Sequence, residues 1–269
     1  MTIVRKPSVV YQFYPGDPVT LEKTVKGMVE ETLKKEDAIA IIAPHAGYVY
    51  SGRVAGAIFS KVRIPDNIIL LGPNHTGLGK SVAVFTSGEW EMPFGKMMVN
   101  SELSHILIEE SVYFADDPIA HLKEHSLEVQ LPFIHHFNPA ASIVPITIMH
   151  LDLRSCIEIG KAVARVIISY EKEILIVVSS DMNHYESHET TKKKDKKAIE
   201  RITVLDYEGL LKTVLKDDIS MCGVIPAAIA IIAARELGAN GGKLIDYATS
   251  GETSGDFNHV VGYAGILIK

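Results

Sequence analysis

The chain has 269 residues, 47% of them hydrophobic and 22% charged, a balance that excludes a disordered chain. Its net charge of −6 gives no ground for a nucleic-acid or anionic-membrane partner, and its two cysteines, Cys156 and Cys222, are too few for a disulfide framework. No apolar run approaches the roughly 18 residues of a membrane helix, and residues 1–7 lack the apolar core of a signal peptide, so a cytoplasmic location is expected.

Along the chain, short Ile- and Val-rich runs bounded by turn residues alternate with longer helix-like stretches. The apolar runs predict a strand over 38–43, then 67–71, 142–149 and 173–178, all too short and too uniformly apolar for amphipathic helices. Helices are predicted over 52–61, 101–110, 124–137 and 152–170, and later over 192–202, 207–216 and 226–237. Strands over 243–248 and 259–268 complete the set, with an antiparallel addition near 81–86. Nothing resembling a linker divides the chain, so one α/β domain over 1–269 is expected, with a largely parallel or mixed central sheet and helices on both faces. The charge run Lys192-Lys193-Lys194-Asp195-Lys196-Lys197 reads as the solvated face of a helix.

Three predicted strands run into a histidine: Ala-Pro-His at His45, Gly-Pro-Asn-His at His75 and Ser-Ser-Asp-Met-Asn-His at His184. Open α/β sheets bind ligands outside the carboxyl ends of their strands. Parallel strands would therefore carry all three imidazoles to one sheet edge, where they suit metal ligation or proton transfer. A fourth, His150, follows the strand over 142–149 without a Gly, Pro or polar cluster and reads as a surface-loop residue.

The segment His121-Leu122-Lys123-Glu124-His125-Ser126 places two histidines at i and i+4, which on a helix share a face. The order H-x-x-E-H is a weak match to a metalloprotease string, and a substrate-contact role for His121, Glu124 and His125 is the better reading. Cys222 precedes a predicted helix; there a thiol can have a lowered pKa and act as ligand or nucleophile, or simply pack. Cys156 falls inside an amphipathic pattern and reads as packing.

Several strings together resemble the Memo family (mediator of ErbB2-driven cell motility homologues) over nearly the whole chain. They are Gln12-Phe13-Tyr14-Pro15, Ala43-Pro44-His45-Ala46-Gly47-Tyr48-Val49-Tyr50-Ser51-Gly52, and Gly72-Pro73-Asn74-His75. Further on come Glu124-His125-Ser126-Leu127-Glu128-Val129-Gln130-Leu131-Pro132-Phe133, Ser179-Ser180-Asp181-Met182-Asn183-His184-Tyr185, Cys222-Gly223 and Val261-Gly262-Tyr263. One departure is Met92-Pro93-Phe94-Gly95, where Thr-Pro-Leu-Gly is usual.

The resemblance implies a fold similar to class III extradiol dioxygenases and a metal site of His45, His75 and Cys222. It also implies Asp181 and His184 as neighbouring polar residues, with His184 as acid/base, and His125 and Tyr48 in the pocket. A cysteine in place of the carboxylate of a 2-His-1-carboxylate oxygenase is a softer ligand, favouring copper(I) or zinc over iron. Three functions follow as expectations: a metal-dependent redox enzyme using iron or copper, a non-catalytic metal- or peptide-binding accessory protein, and a zinc-assisted hydrolase. Animal members of the family act as adaptors for phosphotyrosine peptides, and microbial relatives accompany a radical-SAM protein, which would be a partner here.

Overall fold

The computed structural model describes residues 3–269. The chain runs β1 (Val4–Arg5), α1 (Pro18–Lys26), β2 (Ala40–Ala43), α2 (Tyr48–Lys61), β3 (Asn67–Pro73), β4 (Val82–Val84), β5 (Glu89–Met92), β6 (Gly95–Val99) and α3 (Ser101–Glu110). It continues through β7 (Ala115–Asp116), α4 (Leu131–Phe137), β8 (Ser142–Ile148), α5 (Leu153–Ser169), β9 (Ile174–Ser179), β10 (His184–Glu186) and α6 (His188–Thr203). The last elements are α7 (Tyr207–Lys216), α8 (Val224–Glu236), β11 (Gly242–Thr249), α9 (Gly251–Ser254) and β12 (Val260–Ile268).

The centre of the sheet is the parallel set β8-β3-β9-β2. Beyond β2 the sheet turns antiparallel through β12, which pairs with β11 along its length. On the other side β6 joins the start of β8 and β4 lies antiparallel to its end. The expected mixed sheet is therefore present.

Alternation along the central strands explains the two cores. Ile42, Ile69, Leu71, Val144, Ile146, Ile176 and Val178 face α3, α5 and α8, whereas Ile41, Ile68, Leu70, Ile143, Leu175 and Val177 face α1, α2 and α4. Strands covered on both faces need no polar residue, hence their unbroken apolar runs. Ten of the thirteen residues of α8 are buried, because it lies between the sheet, α5 and α7. Cys156 packs in the core against this layer, as expected. Among the described residues no helix is long and apolar enough to cross a membrane.

Two expectations are corrected. No helix spans 124–137: after a 3₁₀ turn at Pro118–His121 the chain loops, makes a second 3₁₀ turn at Glu128–Gln130, and becomes α-helical only at Leu131. The Glu124 carboxylate accepts the Ser126 backbone N–H at 2.8 Å, a local bond that competes with helix, so His121 and His125 do not share a helix face.

The second correction concerns one residue of the charge run on α6: Lys192, Lys193, Lys196 and Lys197 are exposed as expected, but Asp195 is fully buried. Its carboxylate accepts the Asn183 N–H at 2.9 Å and the Tyr247 hydroxyl at 2.7 Å. A Cβ on Gly262 would lie 1.8 Å from Oδ2, so only glycine fits there. Burial, opposed by these hydrogen bonds, pushes the Asp195 carboxyl from 3.8 up to about 7.

A folded-state value raised above the unfolded one gives stability that is complete below the unfolded value and lost as pH rises through the folded one. Asp195→Asn keeps an acceptor for Asn183. Between about pH 4 and pH 8 it is expected to gain a few kcal/mol on the wild type, since each tenfold difference in proton affinity between the folded and unfolded chains is worth roughly 1.4 kcal/mol. Denaturant unfolding across that range measures this, and a pH-independent difference would show that Asp195 titrates normally.

Candidate metal centre

The parallel pairing of β2, β3 and β9 sets their carboxyl ends side by side. The chain leaves β2 at Ala43 and reaches His45 two residues later; it leaves β3 at Pro73 and reaches His75 in the same way. The loop before the second 3₁₀ turn brings His125 to the same edge. The rings of His75 and His125 stack at 4.7 Å and 25° from parallel, while His45 meets them edge-on at 5.2 and 5.4 Å. One ring nitrogen from each of the three lies within 4.8 Å of the others, a spacing that could hold a metal ion.

Hydrogen bonds hold the back of the His75 and His45 rings. Glu124, fully buried, accepts the His75 backbone N–H at 2.5 Å and the His75 Nδ1 proton at 2.9 Å, and lies 3.4 Å from His125 Nδ1. An ionised carboxylate can only accept, so His75 Nδ1 carries a proton and Nε2 is the nitrogen available to a metal. Burial raises the Glu124 carboxyl, but the hydrogen bond and charge of His75 and the Ser126 N–H outweigh it and bring it to about 2. Burial is the largest cause holding the His45 imidazole well below its ordinary value, with His125 and His75 adding to it; burial also lowers His125. Neutral imidazoles are the form that binds metal.

Cys222 lies against this group, its Sγ 3.3 Å from His45 Nε2. Gly223 makes this approach feasible: a Cβ there would meet Ser180 Cβ at 2.4 Å and Ser179 O at 2.7 Å. The expected lowering of the thiol pKa does not occur. Burial raises it well above 9.0, and the Asp181 carboxylate raises it further, outweighing the hydrogen bonds from the Asp181 N–H, Ser180 and the Gly223 N–H.

Asp181 braces His45 rather than His184. Its Oδ1 accepts the His45 backbone N–H at 2.7 Å, and burial raises its carboxyl to about 7. The residue that orients His184 is Ser220, whose carbonyl accepts from Nδ1 at 2.9 Å and whose hydroxyl accepts the His184 N–H at 2.7 Å. A carbonyl can only accept, so His184 also presents a free Nε2.

Two residues expected in the pocket lie elsewhere. His121 is fully buried against Phe85 and Trp90, its Nε2 bonded to Ala83 O at 3.1 Å, and burial lowers its pKa to about 3. Tyr48 is buried between Tyr14 and Phe133 and donates its hydroxyl to Val129 O at 2.7 Å. Both side chains are spent on packing. His150 is exposed in the loop after β8, as expected.

Residues 5–267 match the family described as Memo-like protein. The chain is 39% identical to MEMO1 family protein MK0963 of Methanopyrus kandleri, covering 98% of this chain and 99% of that one. The chain belongs to the Memo family. Other Memo proteins similar to it come from Pyrobaculum arsenaticum, 41% identical, and Aquifex aeolicus, 40% identical, each over 98% of both chains. In fold it is similar to the uncharacterized protein JW3007 from Escherichia coli K12, with a TM-score of 0.53 at 12% identity over 85% of this chain and 98% of that one.

The Memo histidines stand out in the sequence, whereas Ser179, Gln130 and Ser220 do not. The first two of these lie inside the quoted family strings and Ser220 two residues before Cys222, so position in the string was the available signal.

Proposed function

We propose that this protein holds one transition-metal ion, iron or copper, on His45, His75 and His125, with the Cys222 thiol beside His45 as a further soft donor. At this centre it carries out redox chemistry on a small molecule, with His184 moving a proton. The observation that carries this reading is the trio of imidazoles whose ring nitrogens lie within 4.8 Å of one another. Their chemistry fits such an ion: three imidazole nitrogen donors, a buried carboxylate behind two of them, and a thiol at 3.3 Å from His45.

When bound, such an ion supplies Lewis acidity and an electron. The protein's own part is orientation and proton handling. Glu124 fixes the His75 ring, and Asp181 fixes the backbone of His45. His184, partly exposed, offers a free Nε2 from a ring that burial holds in its neutral form, which suits it to accept a proton.

The test is metal analysis after anaerobic purification, with an optical spectrum and an oxygen-uptake assay across small-molecule panels. Iron or copper at one per chain with substrate-dependent oxygen uptake is the expected result. Zinc with ester or amide cleavage would replace the reading by a hydrolase. Tight copper(I) without turnover would replace it by an accessory binding protein.

A further inference from the structure

We infer that Ser179, held in place by Gln130, sets the tautomer of His45 and so decides which of its nitrogens is free to meet a metal. The deduction starts from two backbone carbonyls, which can only accept hydrogen bonds. Pro44 O lies 2.9 Å from Gln130 Nε2, so the nitrogen end of that amide must face it. The second proton of the same nitrogen points to Ser179 Oγ at 2.8 Å. Ser179 Oγ lies 2.5 Å from Ser126 O, so the hydroxyl proton is committed there.

The hydroxyl has then used its proton and one lone pair. Its remaining lone pair faces His45 Nδ1 at 2.9 Å, and that bond exists only if Nδ1 carries the proton. His45 is therefore Nδ1–H, with its lone pair on Nε2, the atom next to Cys222 Sγ. The opposite tautomer sets two lone pairs against each other, or strips Ser126 O of its donor. Ser126, Gln130 and Ser179 are fully buried, so no water relieves either arrangement. Free histidine side chains favour Nε2–H, the form unable to ligate through Nε2, so the constraint acts against the intrinsic preference. Ser179 and Gln130 are positioning residues.

This rests on the reading of His45 as a ligand, but the tautomer can be measured without any metal. Long-range ¹H–¹⁵N correlation of the histidine side chains in metal-free protein is expected to show His45 as Nδ1–H. In Ser179→Ala the signal should move towards Nε2–H, and Co²⁺ affinity should fall by about 10- to 100-fold, as for other groups that orient a ligand. In Gln130→Met the tautomer should be retained, because Ser126 O still holds the Ser179 proton, with a smaller loss of affinity.

Wild-type His45 found as Nε2–H overturns the inference without any variant. So does a Ser179→Ala protein, native by circular dichroism, with unchanged tautomer and unchanged Co²⁺ affinity. A wild type that shows Nδ1–H but takes up no Co²⁺ sinks the metal reading and leaves the assignment of the tautomer standing.

Discussion

His45→Ala is expected to lower affinity for Co²⁺ or Zn²⁺ by more than roughly 100-fold, beyond the cost of losing an orienting group. It removes one of three donors and the contact with Cys222 Sγ. His184→Ala should leave one ion per chain at nearly the same affinity, since His184 lies outside that trio and is anchored separately by Ser220. Parallel titrations, with circular dichroism to confirm folding, separate the two roles. Unchanged affinity in His45→Ala would remove it from the centre, and loss of the ion in His184→Ala would make that residue a ligand.

Arg5→Ala should cost about 3–5 kcal/mol of stability, the range for breaking one side of a buried ion pair. Arg5 is fully buried, pairs with Glu128 and lies over Trp90 at 4.5 Å. It also donates to His121 O at 3.1 Å and Glu124 O at 2.6 Å, carbonyls of the loop that carries His125. Glu128 accepts the Tyr14 hydroxyl at 2.6 Å, and although burial opposes it, Arg5 keeps the Glu128 carboxyl below its ordinary value. Without Arg5 that carboxylate is left buried and unpaired. The double change Arg5→Met with Glu128→Leu removes both charges and should cost less than the single change. Denaturant unfolding measures both, and a single-variant loss below about 1 kcal/mol would mean that the pair contributes little.

The strands that build the site were legible because burial on both faces gives a signal that needs no partner. The runs read at 67–71 and 142–149 became β3 and β8 within two residues at either end. The helices at 101–110 and 207–216 match α3 and α7, each opened by an Asn or Asp cap that bonds the third residue on. Short strands such as β1, β5 and β6 carry no such signal. The pairing of Glu89 with Met98, for example, follows from the tight Pro93-Phe94 turn between β5 and β6, not from an apolar run.

Within the site, His45, His75 and His184 were visible as strand ends. The resemblance placed His125 in the pocket, but its standing with the first two as a possible ligand was not legible, because a helix was expected over 124–137 and Glu124 bends that segment into a loop. Asp195 was hidden for a related reason: surrounded by lysines in sequence, it is turned inward only by the packing of α6 against β11 and β12.

The parallel order of β3, β9 and β2 also has a kinetic side. His45 and Cys222 touch across 177 residues of sequence, and the other donors come from loops between them. In the unfolded chain His45, His75 and His125 are far apart in sequence, and this donor group exists only after the slow, non-local pairing of the sheet is complete. An ion on these three histidines would not serve as a template that nucleates the fold, as one does where two ligands share one tight turn. It would instead arrive last and stabilise only the finished molecule by mass action, and growth in metal-poor medium would then lower the yield of durable protein without slowing the rate at which the sheet forms.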